Sequence, residues 1–171
     1  LWNENEGAGG QLLVTYKGET IFEKCYGYAN IETGTPITPD TVFHVASVTK
    51  QITVMSVMIL QERGLLNVED DVREYIPDLI NFPQPLKLKH MMNNISGLRD
   101  QWELLQLSGR KMEDALVQTD TLGVISRQTG LNFEPGEKYM YSNSNFTLLA
   151  TIVERLSGMT LPQFAKENIF K

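Results

Sequence analysis

Hydrophobic and polar positions follow different periods in the two ends of the chain. Near the N-terminus, residues 11–16 and 20–28 are rich in β-branched and aromatic side chains, and they flank a short turn that contains Gly18. This pattern predicts a β-hairpin. Residues 30–43 carry a glycine and two prolines and predict a loop.

From residue 43 onward, the apolar positions recur at helical spacing. Residues 43–64 form a helical run with apolar side chains on nearly every face, which is typical of a helix buried inside a protein. Gly64 is placed to end this helix. Shorter helices are predicted at residues 88–92, 101–107, 112–118 and 121–128.

Two further helices are predicted near the C-terminus. One begins at Asn145, ends at Gly158 and has one apolar face, formed by Phe146, Leu149, Ile152, Val153 and Leu156. The last opens at Thr160, with a proline in its first turn and a glutamine three residues after Thr160, the pattern of a capping box.

The order of elements predicts an α+β fold. Residues 1–43 would supply the N-terminal strands of an α/β region, and residues 44–171 a mainly helical region. Two strands alone are marginally stable in water, so the hairpin needs further strands or a helix to cover it. Because no later segment predicts a strand, we expect the antiparallel sheet to be incomplete and the chain to be the N-terminal portion of a larger fold.

Composition removes several classes of function. The chain of 171 residues has a net charge of −6 and scattered basic residues, which argues against a nucleic-acid partner. Its single cysteine, Cys25, rules out an internal disulfide and a cysteine-rich zinc site. The two histidines lack the pairing of a zinc motif, so no metal and no cofactor are expected. No apolar run reaches the roughly 18 residues of a membrane-spanning helix.

Candidate chemistry lies at the start of the long helix, where Ser47 and Lys50 stand three residues apart. Side chains at this spacing share one helix face. A serine becomes a nucleophile when a neighbour takes its proton, and desolvation can lower a lysine pKa toward neutrality. Helix N-terminal N–H groups would also favour developing negative charge. The alternative is that Ser47 is an N-cap and Lys50 a solvated first-turn residue.

A second candidate pair lies on the turn-rich connection before the helix at Asn145. Tyr141 could share a proton with Ser47 and Lys50, and the amide of Asn143 could bind a substrate carbonyl or hold Lys50. The alternative is that Tyr141 packs as an ordinary aromatic and Asn143 caps the next helix.

Three other groups have simpler interpretations. His44 precedes Ser47 by three residues and could belong to a Ser-His-Asp triad, although a packed histidine at a helix start is the more common case. His90 is interpreted as an ordinary helix residue. The adjacent Asp70 and Asp71 have no acidic or metal-binding partner nearby in the sequence and predict a solvated turn.

The two motifs and their surroundings resemble the serine β-lactamase and penicillin-binding-protein superfamily, in its class C β-lactamase-like branch. The similarity covers almost the whole chain and is carried by residues 27–53, 63–78, 86–100 and 133–170. S-x-x-K and Y-x-N are weak signals singly, but within these surroundings they are specific. The resemblance implies a β-lactamase/transpeptidase-like fold.

The resemblance also implies roles for individual residues. Ser47 corresponds to the acylated nucleophile, Lys50 to the lysine that activates it and Tyr141 to the base or proton shuttle. Asn143 corresponds to the asparagine that contacts the substrate amide. The oxyanion hole would use the N–H of Ser47 and a second N–H from a later strand. No cofactor is implied.

The implied activity is a serine acyl-hydrolase acting on a β-lactam, a D-amino-acid peptide or an ester. Its implied partner is a small-molecule or peptidoglycan-like substrate, besides a missing C-terminal part of the same fold or a second copy of the chain. An extracytoplasmic location is implied, and a cytoplasmic one stays open. The rival interpretation is a non-catalytic module that binds peptidoglycan or a β-lactam as a sensor.

The sequence departs from the family pattern in two places. Asn94 stands where the family often has histidine before its T-S-G triplet, a position we interpret as structural. The third motif, a Lys/His-Thr/Ser-Gly triplet on a core strand, has no counterpart in the chain. The substrate-facing strand and half of the oxyanion hole would therefore be missing.

This departure predicts that the 171-residue chain alone is a poor catalyst or none. The measurement is turnover of a chromogenic β-lactam and of a p-nitrophenyl ester by the purified chain. Robust turnover of either compound would contradict the prediction.

Overall fold

The structure is a computed structural model that describes residues 7–79, 82–111 and 113–170. The chain divides into two compact units, residues 1–46 and residues 47–171. The sequence-based boundary at residues 43 and 44 stays a prediction. Within the described ranges, no helix is both long enough and apolar enough to cross a membrane.

The first unit contains the predicted hairpin. Strands β1 (Gly10–Tyr16) and β2 (Glu19–Tyr26) pair antiparallel. The two turn residues, Lys17 and Gly18, both have positive φ angles of 50° and 84°, as the favoured two-residue hairpin turn requires. The second strand ends two residues earlier than predicted, because Gly27 turns the chain with a φ of 62°.

The loop prediction for residues 30–43 was wrong in part. Strand β3 (Tyr28–Asn30) pairs antiparallel with β4 (Thr35–Pro36) to form a second, very short hairpin. The side chain of Asn30 accepts a hydrogen bond from the N–H of Thr33 at 3.0 Å, so a local side-chain turn closes the connection. Strand prediction depends on longer runs of β-branched and aromatic residues, so it misses strands this short.

The second unit is helical. Its helices are α1 (Thr49–Glu62), α2 (Leu88–Met92), α3 (Gln101–Leu107), α4 (Gln118–Ser126), α5 (Asn143–Ser157) and α6 (Leu161–Asn168). Helix α5 is central and contacts each of the other five. Its buried apolar face supplies Leu148, Leu149, Ile152 and Val153 to the core, as its amphipathic pattern predicts.

The helix predictions succeeded where capping signals or strong periodicity marked an element. Helices α2 and α3 have the predicted bounds. Thr160 caps α6 and exchanges capping-box hydrogen bonds with Gln163. Gly64 and Gly158 follow α1 and α5 with positive φ angles of 69° each.

Four helix predictions need correction. The helical run predicted from residue 43 begins as a helix only at Thr49, after the 3-10 turn Ala46–Val48. The helix predicted at residues 112–118 is absent from residues 113–117, and residue 112 lies outside the described residues. Helix α4 instead starts at Gln118, because the Asp120 carboxylate accepts the N–H of Val117 at 3.1 Å and caps the helix there. Helix α5 begins at Asn143, two residues before the prediction.

Helix α1 is less buried than its apolar sequence predicts. Thr53, Ser56, Val57 and Leu60 face the core, whereas Met55 is 50% exposed and Met58 is 41% exposed. Two polar side chains therefore lie on the buried face, and Ser56 is accommodated by donating to the carbonyl of Ile52 at 2.8 Å.

The packing of α5 yields a stability prediction. Leu149 is fully buried (0% exposed) in the centre of this helix. We expect Leu149→Ala to lower the free energy of unfolding by about 2–5 kcal/mol, through lost apolar contact and the cavity left behind. Urea unfolding followed by circular dichroism measures the change.

Leu107→Ala is the matched control, since Leu107 is 86% exposed at the end of α3. Its effect should stay within about 0.5 kcal/mol. Equal destabilisation by the two substitutions would contradict the assignment of the core to α5.

Candidate active site

The start of α1 places the first two candidate residues. Ser47 lies in a short 3-10 turn, Ala46–Val48, directly before α1, and Lys50 lies in the first turn of the helix. The Lys50 ammonium donates a hydrogen bond from Nζ to Ser47 Oγ at 3.0 Å. The expectation that these two side chains can reach each other is therefore confirmed.

The backbone just before Ser47 is strained. Ala46 has a φ of 45°, in the left-handed region that residues with a Cβ rarely adopt. Such a conformation costs of order 1–3 kcal/mol and persists only where the surrounding structure imposes it. This conformation of Ala46 lies directly before Ser47, which is exposed at the start of α1.

The start of α5 supplies the other two candidates. Tyr141 ends the connection before α5, and its phenol oxygen lies 2.7 Å from Ser47 Oγ. Asn143 is the first residue of α5, and its Oδ1 accepts a hydrogen bond from Lys50 Nζ at 2.9 Å. All four side chains that the sequence singled out are thus brought together where α1 and α5 begin.

Aromatic rings flank the lysine in this cluster. Lys50 Nζ lies 4.9 Å from the ring centroid of Tyr141 and 5.1 Å from that of Phe146. Both distances fall within the range of a favourable cation–π contact. Lys50 is half-buried, so its ammonium is held by two rings and two hydrogen-bond acceptors rather than extending into water.

Electrostatics favour the deprotonated form of Tyr141. The neighbouring Lys50 ammonium is the main cause that lowers the pKa of Tyr141, and the Ser47 hydroxyl lowers it further. Partial burial acts in the opposite direction and is outweighed. At a given pH, a larger fraction of Tyr141 is therefore ionised than of an isolated tyrosine, whose pKa is about 10.

A buried polar network supports the connection that carries Tyr141. Asn94 adopts a left-handed φ of 55°, and its Oδ1 accepts hydrogen bonds from Ser142 N at 3.1 Å and from Asn145 Nδ2 at 3.0 Å. Asn145 in turn accepts from Ser96 Oγ at 2.6 Å. Asn94 lies in the loop between α2 and α3 and thus fixes the start of α5 from there. This agrees with the structural interpretation of the position.

Sequence reasoning gave no role to Asp100, although its carboxylate contacts Asn143. Asp100 Oδ2 accepts from Asn143 N at 2.6 Å and from Asn143 Nδ2 at 2.8 Å. Its Oδ1 caps α3 by accepting from Trp102 N at 2.8 Å. An aspartate directly before a helical pattern is a capping signal, but the contact with α5 depends on tertiary packing that the sequence does not display.

The remaining sequence candidates lie outside this cluster. His44 is exposed and makes no side-chain hydrogen bond among the described residues, so no Ser-His-Asp triad forms there. Asp70 and Asp71 are partners of Tyr75 and Arg73 respectively. Within residues 7–79, 82–111 and 113–170, no three His, Cys, Asp or Glu side chains are grouped so that they could hold a metal ion.

Comparison with known proteins decides the family. The family model described as Beta-lactamase matches residues 1–171. The chain belongs to the Beta-lactamase family. The resemblance read from the S-x-x-K and Y-x-N surroundings is therefore confirmed.

Two curated relatives of this Beta-lactamase family member are similar over nearly its full length. Penicillin-binding protein 4* of Bacillus subtilis is 33% identical over 98% of this chain and 37% of the relative. A D-aminopeptidase of Brucella anthropi is 34% identical over 96% of this chain and 31% of the relative. The chain thus spans about a third of the length of these relatives.

A solved structure confirms the fold class. FmtA from Staphylococcus aureus superposes with a TM-score of 0.80 at 25% identity, covering 99% of this chain and 44% of FmtA. The predicted α+β, β-lactamase/transpeptidase-like fold is therefore correct. The matched part comprises the helical unit and the N-terminal antiparallel strands described above.

The site predicts a specific titration behaviour for Tyr141. In the wild-type chain, Tyr141 should ionise below the ordinary tyrosine pKa of about 10, because Lys50 and Ser47 stabilise the phenolate. Lys50→Met should raise this pKa. Ultraviolet difference titration of tyrosinate measures it, with Tyr141→Phe subtracted to isolate the signal.

Lys87→Met is the control, since Lys87 pairs with Glu69 at 2.9 Å and forms no hydrogen bond with Ser47, Lys50 or Tyr141 among the described residues. It should leave the Tyr141 titration in place. If Lys50→Met leaves that titration unchanged, or Lys87→Met raises it equally, the electrostatic coupling of Lys50 to Tyr141 is refuted.

Proposed function

We propose that the chain carries the acylation centre of a serine acyl-hydrolase, with Ser47 as nucleophile. One observation supports the proposal above all others. Ser47 Oγ lies within hydrogen-bonding distance of both the Tyr141 oxygen, at 2.7 Å, and Lys50 Nζ, at 3.0 Å. A serine held between a potential base and a cation is the arrangement that covalent catalysis requires.

The donors and acceptors define a path for the proton. A protonated Lys50 can only donate, so its hydrogen bond occupies a lone pair of Ser47 Oγ. The serine hydrogen is then free to point at the Tyr141 oxygen. In the proposed reaction, Tyr141 as phenolate takes this proton while Oγ attacks a carbonyl carbon, and the phenol later returns it to the leaving group.

Lys50 acts in this scheme as a fixed positive charge. It stabilises the tyrosine phenolate before the reaction, in keeping with the lowered pKa of Tyr141. It also lies beside the serine oxygen, where it offsets negative charge as Oγ loses its proton. Lys50 and Tyr141 are therefore assigned together to the management of one proton.

Asn143 is proposed to orient the substrate. Its Oδ1 is occupied by Lys50, and one hydrogen of Nδ2 is directed at Asp100. The amide nitrogen has a second hydrogen, which is available to a substrate carbonyl. The first oxyanion donor would be the N–H of Ser47, and the second, by the family resemblance, belongs to a later strand.

The proposed substrates are a β-lactam, a D-amino-acid peptide or an ester. The relatives named penicillin-binding protein and D-aminopeptidase favour the first two as initial probes. A peptidoglycan-like substrate would suit an extracytoplasmic location, which we propose on the resemblance. A further part of the same fold, or a second copy of the chain, is the proposed source of the remaining pocket walls.

Covalent labelling tests the proposal directly. The chain, joined to the proposed further part of the fold, is incubated with a penicillin, a D-aminoacyl p-nitrophenyl ester and a fluorophosphonate, and intact mass is followed with time. We expect an adduct that maps to Ser47 and is absent from Ser47→Ala. Tyr141→Phe and Lys50→Ala should slow adduct formation by roughly 10²–10⁴-fold, the usual contribution of proton transfer.

Ser56→Ala is the control on the same helix, because the Ser56 hydroxyl is buried and, among the described residues, donates its hydrogen bond to the carbonyl of Ile52. It should label like the wild type. An adduct that decays indicates a hydrolase, whereas a persistent adduct indicates an acylated sensor. If no probe labels the folded protein that includes the further part of the fold, or if labelling survives in its Ser47→Ala variant, the proposal fails.

A further inference from the structure

Asp100 joins two helices at the edge of the candidate active site. One carboxylate oxygen, Oδ1, accepts the N–H of Trp102 at 2.8 Å and caps α3. The other oxygen, Oδ2, faces α5 and accepts two hydrogen bonds from Asn143, from the backbone N at 2.6 Å and from Nδ2 at 2.8 Å. Capping α3 needs only the first oxygen, so the second is available for a different task.

The contacts of Asn143 permit one orientation of its amide. Lys50 presents only donors, and the Asp100 carboxylate presents only acceptors. Asn143 must therefore direct Oδ1 at Lys50 Nζ, 2.9 Å away, and Nδ2 at Asp100. The reverse orientation would set donor against donor on one side and acceptor against acceptor on the other.

The backbone contact fixes the same residue a second time. Ser142 is the N-cap of α5, but its side chain makes no capping hydrogen bond. Asp100 Oδ2 instead accepts the N–H of Asn143, one of the N–H groups that a helix leaves without a partner. A carboxylate at this end of α5 is also favoured by the helix dipole. The start of α5 and the amide of Asn143 are thus held by one oxygen.

We propose that Asp100 is a positioning residue of the active site, acting through Asn143 to hold Lys50 in line with Ser47. The relay runs from Asp100 Oδ2 to the Asn143 amide, then to Lys50 Nζ and Ser47 Oγ. Among the described residues, Asp100 makes no hydrogen bond to Ser47, Lys50 or Tyr141, so its hydrogen bonds reach Lys50 through Asn143. Its negative charge also acts on Tyr141 directly, where it raises the pKa against the larger lowering effect of Lys50. This assignment deepens the proposed acyl-hydrolase function and rests on it for its catalytic consequence.

Asp100→Ser separates the two tasks of the carboxylate. Serine is as good an N-cap as aspartate, so α3 keeps its cap, but the oxygen that binds Asn143 is lost. The matched control is Asp71→Ser. Asp71 caps the short turn Val72–Glu74 through Oδ1 and accepts Leu86 N through Oδ2 at 3.0 Å, away from the site.

The first measurement is nuclear magnetic resonance, which needs no activity. The side-chain amide of Asn143 and the Cε of Lys50 are assigned by comparison with Asn143→Ala and Lys50→Arg. Asp100→Ser should shift both signals, whereas Asp71→Ser should leave both in place. If the chain with Asp100→Ser is folded and both signals stay at their wild-type positions, Asp100 does not position Lys50.

The second measurement is the rate of covalent labelling over a range of probe concentrations. Asp100→Ser should lower the limiting rate roughly 10- to 100-fold, as expected for a misplaced reacting group, with little change in the concentration for half-maximal rate. In an Asn143→Ala background, Asp100→Ser should cause no further loss. A full additional loss in that background would show that Asp100 acts by general destabilisation, which overturns the proposal.

The two measurements distinguish failure of the acyl-hydrolase function from failure of the positioning role of Asp100. If the wild-type protein that includes the further part of the fold is not labelled by any probe but the Asp100→Ser signals shift, the acyl-hydrolase function fails and the positioning of Lys50 stands. If labelling occurs at Ser47 but Asp100→Ser changes neither the signals nor the rate, the function stands and the role of Asp100 fails. Asp100→Asn serves as a second variant if Asp100→Ser does not fold.

Discussion

The structure of the site depends on the hydrogen bond between Ser47 Oγ and the Tyr141 oxygen, 2.7 Å long and joining residues 94 positions apart in the chain. Neither side chain could be held there by its own segment. The bond forms because α1 packs on α5, so that the start of each helix lies beside the other. The apolar core between the helices therefore sets the distance between a nucleophile and its proton acceptor.

Apolar packing sets the position of the start of α5 only approximately, and hydrogen bonds from polar side chains then fix it. Asn94 and Asp100 both come from the segment before α3, and both bind the start of α5 through short hydrogen bonds. Asn143, which Asp100 holds in place, accepts a hydrogen bond from Lys50 Nζ. Buried and half-buried polar networks of this kind are costly unless fully paired, and when paired they specify one arrangement. The apolar helix α1 can thus accommodate the Ser47 hydroxyl and the Lys50 amine at its start, because Tyr141 and Asn143 at the start of α5 provide their hydrogen-bond partners.

The sequence predicted the elements with strong local signals: the hairpin, α2, α3, α6 and the glycine ends of α1 and α5. It also predicted the meeting of Ser47, Lys50, Tyr141 and Asn143, since two motifs in matched surroundings imply a shared site. It failed where local hydrogen bonds decide the outcome, as at Asn30, which closes a short hairpin, and at Asp120, which caps a helix that starts at Gln118 rather than at residue 112 or 121. It gave Asp100 no role because its contact with α5 arises only from packing.

The most direct test of the acylation centre is a crystal structure of the chain treated with a boronic acid, which adds to an activated serine and imitates the tetrahedral intermediate. We expect continuous density from Ser47 Oγ to boron, with the Tyr141 oxygen and Lys50 Nζ both within hydrogen-bonding distance of Oγ. An unmodified Ser47, with Tyr141 and Lys50 directed elsewhere, would contradict it.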